Sequence, residues 1–271
     1  MPSDTPSTSR AKTLENNILA TRKMTPGGEN YRAYVGPPQQ YDFMGATQFR
    51  LVTALGLREE DHVVDIGCGS LRAGRLLLQY LLPGQYTGIE PNEWLWKTAI
   101  AEEIGQDVLD LKAPRFFAED DFTMSGVEDG GSAFIIAQSI YSHVGSDLLQ
   151  TSMAAVARCL SEQGQFLFTA ILPDCPHAGN MPRASSYSGW LYPGCTVFEE
   201  AEIQQACRGA GLHVQRLPWH HPRQVWFRAV ASPDRLMTPE MIAELGSGRP
   251  LFDRRFEPPT LKREPNESPR T

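Results

Sequence analysis

The stretch DHVVDIGCGSLRAGRLLLQYLLPGQYTGIEP, residues 61–91, constrains the fold more than any other part of the chain. Residues 62–66 are a short apolar, β-branched run, long enough for a buried strand and too short for a helix. The run ends in the tight turn Gly67-Cys68-Gly69. Ser70 stands where a helix N-cap belongs, and Leu71, Leu76, Leu77 and Leu78 follow with helical periodicity. A second extended run, residues 86–89, follows Pro83-Gly84 and stops on Glu90. The unit reads as a βαβ with a carboxylate at the tip of its second strand.

Two kinds of nucleotide site use such a unit, and the residues separate them. A dinucleotide site of the GxGxxG type sets a pyrophosphate against bare backbone, and its third glycine packs helix on strand. Here that third position is Arg72. Asp65 sits directly before the turn, where a carboxylate repels a pyrophosphate but accepts from an ammonium or a hydroxyl. The helix start offers N–H groups and a positive dipole end, good for a carboxylate. The turn therefore suits a ligand bearing both charges, such as an amino-acid moiety on a nucleoside, with Glu90 accepting from two ribose hydroxyls. Arg72, in the first helical turn where the dipole disfavours a cation, needs an acidic partner nearby: the ligand carboxylate, Glu119 or Asp120.

In these residues the chain resembles the class I S-adenosylmethionine-dependent methyltransferases of small-molecule type. Their first motif is an acidic residue followed by GxGxG or a shortened form such as DIGCGS. The resemblance spans residues 61–231 and implies a Rossmann-like α/β fold. Its sheet is seven-stranded and mostly parallel, with an antiparallel last strand and helices on both faces. It implies S-adenosyl-L-methionine as cofactor and S-adenosyl-L-homocysteine as product. By the family pattern Asp65, Gly67 and Gly69 cradle the methionine end and Glu90 the ribose, with Cys68, Arg72 and Pro91 as further cofactor-binding candidates. An acid beyond the third strand accepts from the adenine amino group while the next residue lines the ring. That places Asp121-Phe122 at the adenine with Asp120 close behind; a solvated acidic turn is the other reading. AQSIYSHV matches the fourth motif, so Ala137, Gln138 and Ser139 border the methionine and the reacting methyl. His143 just beyond is a candidate base, neutral near pH 7, or a brace for the next helix. Methyl transfer from a sulfonium can also run on in-line positioning alone.

Before this unit, residues 1–12 read as a disordered tail and residues 13–24 as a short helix stopped by Pro26-Gly27-Gly28. Residues 13–57 form an N-terminal helical cap, with a helix from Tyr41 onward packing under the first strand. Tyr31, Tyr34 and Tyr41 serve either as packing or as a lid touching the sulfonium by cation-π contact. Residues 58–231 form the methyltransferase domain. Within it we expect helices at 92–104, 148–160 and 196–211, the last capped by Thr196. Strands are expected into Glu119-Asp120-Asp121-Phe122, at 133–139 and 164–172, and at 213–217 with 224–231 as a closing hairpin.

Residues 173–196 contain prolines, glycines and aromatics without a period, and so long a loop is read as a substrate lid. His177, a second candidate base, Arg183, Tyr187, Trp190 and Tyr192 are its candidate contacts, Arg183 being suited to a carboxylate or phosphate. A crossover loop with an aromatic plug is the alternative. His220-His221 lacks the further ligands that a metal needs, so no metal is expected. Residues 232–271 read as a short helix at 239–245 and a mobile tail.

The net charge of −7 and the absence of a basic block argue against nucleic-acid or anionic-membrane partners. No apolar run approaches a membrane span, and the first ten residues are not a signal peptide. Five cysteines, odd in number and without CxxC, read as reduced thiols in a cytoplasmic protein. The expected activity is methyl transfer to an oxygen or nitrogen of a small polar metabolite or natural product, with His143 or His177 as base. A non-catalytic S-adenosylmethionine-binding sensor or assembly protein has the same acids, Asp65, Glu90 and Asp121. A homodimer is left open.

Overall fold

The computed structural model describes residues 6–251, with side chains from residue 11 onward. The expected mobile C-terminal tail from residue 252 and the first five residues lie outside the described residues. Seven strands form one sheet in the order β3-β2-β1-β4-β5-β7-β6. They are β1 (Val63–Ile66), β2 (Tyr86–Ile89), β3 (Arg115–Phe117), β4 (Ser132–Ala137), β5 (Leu160–Ala170), β6 (His213–Leu217) and β7 (Val225–Val230). The first five pair in parallel, and β7 runs antiparallel to both β5 and β6.

The central strands β1, β2 and β4 are buried along almost their whole length because both faces of the sheet are covered. Alternate residues enter two separate cores. Val64, Ile66, Ile135, Phe166 and Phe168 pack with Leu149, Met153 and Val156 of α7 (Ser146–Cys159) and Ile203 of α8 (Glu200–Gly209). Val63, Phe134, Ile136 and Leu167 pack with Leu51 and Val52 of α3 (Tyr41–Ala54), Leu77 of α4 (Gly74–Tyr80) and Leu95 of α5 (Glu93–Ala99). After β1 the chain moves outward to β2 and β3, then returns to β4 on the other side. The loops leaving β1 and β4 therefore diverge and open a crevice at the strand ends.

Several expectations shift locally. Helix α4 begins at Gly74, not beside Ser70, because Leu71 takes a left-handed φ of 56° that breaks the helix there. The Ser70 hydroxyl meets the Tyr41 hydroxyl at 3.2 Å instead of capping. Arg72 thus lies before the helix, outside the reach of the dipole argument. The third strand is Arg115–Phe117 itself, and residues 119–122 are loop, since three successive acids have no ladder to join. The expected helix at 92–104 winds as α5 and then a π-turn, Ile100–Ile104, followed by a short helix, α6 (Gln106–Lys112). Strand β5 starts at Leu160 with no intervening turn, its extra residues absorbed by a bulge opposite β4. Helix α8 is capped by the reciprocal pair Glu199 and Glu202, while the Thr196 hydroxyl donates to the Val144 carbonyl at 2.7 Å. The first helix, Pro6–Thr21, begins inside the stretch expected to be disordered, with proline at its first turn, where a missing N–H costs nothing.

The segment before β1 is tied down by charge. Glu103 accepts from the Tyr31 hydroxyl at 2.6 Å, from Arg32 Nε and Nη2 at 2.6 and 2.7 Å, and from Arg75 at 3.0 Å. Asp42 bridges Arg32 and Arg75 from the other side. Tyr41 lies buried under both guanidinium groups, 4.5 and 5.1 Å from its ring, and its hydroxyl donates to the Ser70 carbonyl at 2.7 Å.

Candidate active site

The crevice is a cavity of about 560 Å³, within the range of small-molecule sites. Its floor is the turn after β1. Gly67 has φ of 67°, and a Cβ there would lie 2.0 Å from Ile140 Cδ1, so only glycine lets the β4 loop pack onto the turn. The N–H groups of Gly67 and Cys68 donate to the Ile89 carbonyl at 2.8 and 3.1 Å, and that of Gly69 to Glu90 Oε2 at 3.1 Å. The turn is therefore fixed by β2 and by the carboxylate at its tip. Glu90 Oε1 also accepts from the Asn92 N–H and side-chain amide at 2.8 and 2.9 Å. Three of roughly four carboxylate lone-pair sites are occupied, leaving one free on a residue that lines the cavity.

Asp65, Cys68 and Arg72 complete this wall. Asp65 accepts from the Tyr86 hydroxyl at 2.9 Å. Burial pushes its carboxyl up to about 7, against the Tyr86 hydrogen bond and the nearby Arg72 charge, which lower it. Arg72 donates to the Val35 carbonyl at 3.0 Å, and its Nε has no partner. Its pKa is lowered by burial, partly offset by Tyr41 and Asp65.

Pro91, Asp120 and Phe122 line one end. Tyr34, Trp190 and Tyr192 line another part of the cavity and connect its borders. The Tyr192 ring stacks on Tyr34 with centroids 5.0 Å apart, and its hydroxyl donates to the Tyr34 carbonyl at 2.7 Å. Trp190 stacks on Phe122 at 5.1 Å and donates to the Asp120 carbonyl at 2.8 Å. His143 also lines the cavity, its Nδ1 2.6 Å from the Gly194 carbonyl. A carbonyl only accepts, so Nδ1 carries the proton and the Nε2 lone pair is the basic site. Burial lowers this imidazole below its usual value, opposed by the carbonyls of Gly194 and Leu191.

A family profile described as "Methyltransferase domain" matches residues 40–217. The chain belongs to the methyltransferase domain family. Its fold and strand order make it a class I S-adenosylmethionine-dependent methyltransferase. Solved structures of similar fold include the DhpI–SAH complex (14% identity, 81% of this chain and 97% of that chain, TM-score 0.53). Another is geranyl diphosphate methyltransferase with SAM (16%, 79% and 95%, TM-score 0.52). A third is the mitomycin 7-O-methyltransferase MmcR (16%, 84% and 69%, TM-score 0.54). No curated protein matches the chain.

Gln138 and Ser139 of this methyltransferase line the cavity beside Asp65 and Glu90, but seven expected site residues do not. The Asp121 carboxylate turns outward to the Thr123 N–H and hydroxyl at 3.0 and 2.9 Å, which hold it below the usual carboxylate range. Asp120 lines the cavity, as does Glu119, whose carboxylate accepts from Ser125 and Gly126. Ala137 is fully buried in the β4 core. Tyr41 is buried in the ionic network, and Tyr31, bonded to Glu103, is likewise held away from the cavity. Arg183 pairs with Glu199 at 2.6 Å, so it is not the free cation expected of it. Tyr187 reaches the Trp190 carbonyl at 3.3 Å, and His177 lies one residue beyond the lining residue Pro176.

The structure brings in groups that sequence reasoning passed over. His221, Arg223 and Gln224, from the connection between β6 and β7, line the cavity with Ser142. The Arg223 N–H donates to His221 Nδ1 at 3.2 Å, so the neutral ring carries its proton on Nε2, 3.3 Å from Ser139 Oγ. Gln224 Nε2 donates to the hydroxyls of Ser139 and Ser142 at 3.2 and 3.3 Å. Burial, with Arg72 and Arg223 nearby, drives the His221 pKa down to about 3. The signal available in the sequence is the pair His220-His221 in the connection between two strands, a pair that lacks the further ligands of a metal site. Among the described residues no group of three or more metal-ligating side chains occurs, and no helix is long and apolar enough to cross a membrane.

Proposed function

We propose that the cavity holds S-adenosylmethionine and a small polar acceptor together, and that this enzyme transfers the methyl group to an oxygen of that acceptor. The supporting observation is the convergence of Asp65, the Gly67–Gly69 turn and Glu90 on one cavity that also contains Gln138, Ser139 and His143. The donor set fits the cofactor. Asp65 would take its ammonium, Arg72 its carboxylate, and the remaining lone pair of Glu90 a ribose hydroxyl. Asp120 and Phe122 would take the adenine, with Gln138 and Ser139 bordering the methionine. Bound there, the cofactor supplies an electrophilic methyl on a sulfonium.

The protein's part is positional. The rigid turn sets one reactant and the β4 end the other, and the resulting orientation supplies most of the rate. Residues 173–196 act as the lid, with Tyr192 on Tyr34 and Trp190 on Phe122 closing the cavity against water. His143 Nε2 takes the proton released by a hydroxyl nucleophile. His177 is the weaker candidate because it does not line the cavity. The test is heat stability with S-adenosylhomocysteine or NAD in excess. A ligand at a hundred times its dissociation constant adds about 2.7 kcal/mol, and only the adenosyl ligand is expected to raise the melting temperature. No shift with S-adenosylhomocysteine in folded, ligand-free protein would overturn the reading.

A further inference from the structure

The polar wall at the end of β4 has unmet hydrogen bonds in a pattern that specifies an acceptor. Gln138 and Gln224 are more than nine-tenths buried, at 7% and 8% exposure. Neither amide atom of Gln138 has a partner, and neither does Gln224 Oε1. A buried polar group left unpaired is unfavourable, and both residues line the cavity, from which a partner can come. Ser139 sits at a left-handed φ of 63°, an unfavourable conformation for serine, with its N–H held by the Thr169 hydroxyl at 2.7 Å. Its Oγ receives N–H donors from His221 and Gln224 at 3.3 and 3.2 Å. Both hydroxyl lone pairs are then taken, and the remaining hydrogen can only be donated.

The wall thus needs hydrogen-bond donors for the two Gln oxygens and acceptors for Ser139 Oγ–H and Gln138 Nε2. A carboxylate or phosphate only accepts, and an ammonium only donates. An unsubstituted arene does neither. A hydroxyl does both, and neighbouring hydroxyls do so side by side. Resting on the methyl-transfer reading above, we propose that the acceptor is a neutral molecule with vicinal hydroxyl groups, of the sugar or cyclitol type, held by Gln138, Ser139 and Gln224. The attacking hydroxyl oxygen bonds to the methyl carbon as the carbon–sulfur bond breaks with its electron pair going to sulfur. The hydroxyl proton passes to His143 Nε2. His221 is a positioning residue: its Nδ1 is occupied by the Arg223 N–H and its Nε2–H orients Ser139, so it receives no proton.

The test uses the full chain saturated with S-adenosylhomocysteine and four ligands on one ring: trans-1,2-cyclohexanediol, cyclohexanol, cyclohexylammonium and cyclohexanecarboxylate. Their affinities are read by ligand-observed NMR. The diol is expected to bind about tenfold tighter than cyclohexanol, the effect of one further buried hydrogen bond. The ammonium and carboxylate should bind more weakly than the diol. In Gln224→Ala and His221→Ala the gap between diol and cyclohexanol should collapse to about twofold, with S-adenosylhomocysteine affinity unchanged. General damage to the fold would weaken all ligands together. Tighter binding of the carboxylate, drawn by Arg72 and Arg223, or of the ammonium overturns the proposal. So does a gap that survives in both variants, or no binding by any of the four. Failure of S-adenosylhomocysteine itself to bind removes the underlying cofactor reading instead.

Discussion

Residues 67–90 hold their side of the cavity with backbone ladders and a carboxylate whose bonds are mostly made, whereas residues 190–195 and 221–224 hold theirs mainly with side-chain contacts, beside one isolated backbone bridge between Trp190 and Val144. Gly67 and Cys68 hang on the Ile89 carbonyl, the register partner of Ile66 in the β1–β2 ladder. Trp190 and Tyr192 are 38% and 41% exposed; Trp190 reaches across by its stack on Phe122 and Tyr192 by its stack on Tyr34 and an edge contact with His143, each with one side-chain hydrogen bond. The first side is built to be rigid before anything binds. The second can open at the cost of a few weak contacts, as a site that must admit and release two ligands requires.

The largest expected effect comes from extending the rigid side to the anchor of the cap. Glu103→Ala leaves Arg32, 2% exposed, with the longer contact to Asp42 as its remaining ion pair and the Tyr41 ring beneath it. Breaking a buried pair from one end costs about 3–5 kcal/mol, because the surviving charge stays buried. Urea denaturation should show a loss of that size. A loss below about 1 kcal/mol would mean that the cap can swing away freely, and the contrast between a rigid and an opening side would fail.

The same contrast explains what was legible in the sequence. Strand β1, the turn, β2 with Glu90 and strand β4 were readable because a buried parallel strand must be continuously apolar and a glycine turn leaves a residue signature. The Leu71 break was not, since a leucine in left-handed conformation contradicts its own propensity and is imposed by packing: Leu71 is fully buried. Asp120 and Asp121 are indistinguishable in sequence, and the hydrogen bonds to Thr123 decide which turns outward. The His221–Gln224 wall was illegible because its role depends on β7 inserting between β5 and β6, which brings residue 221 beside residue 139.

Next in size is a pH effect confined to the rigid side. Asp65 is raised to about 7 in the free protein, so at pH 6 it is mostly protonated and at pH 8 ionised. If its carboxylate receives the ammonium of the ligand, binding favours the ionised form. S-adenosylhomocysteine should then bind about tenfold more weakly at pH 6 than at pH 8, levelling off above 8, with a proton released on binding near and below pH 7. Calorimetry in two buffers of different ionisation enthalpy reads both quantities. A pH-independent affinity would mean that Asp65 holds only Tyr86 and that the ammonium lies elsewhere.

The smallest effect tests the opening side. Tyr192→Phe removes the hydrogen bond to the Tyr34 carbonyl and keeps the ring stack. For a half-exposed neutral bond the stability change should be about 1 kcal/mol or less. If that bond is one of the few that keep the lid shut, its loss lowers the barrier to opening more than it changes the bound state. The dissociation rate of S-adenosylhomocysteine should then rise about fivefold, with a smaller change in equilibrium affinity, because opening also speeds entry. Stopped-flow dissociation resolves the two. An unchanged rate would place the rate-limiting opening at Trp190 on Phe122, the second of the two stacks, and Trp190→Phe, which loses the bond to the Asp120 carbonyl, would carry the effect instead.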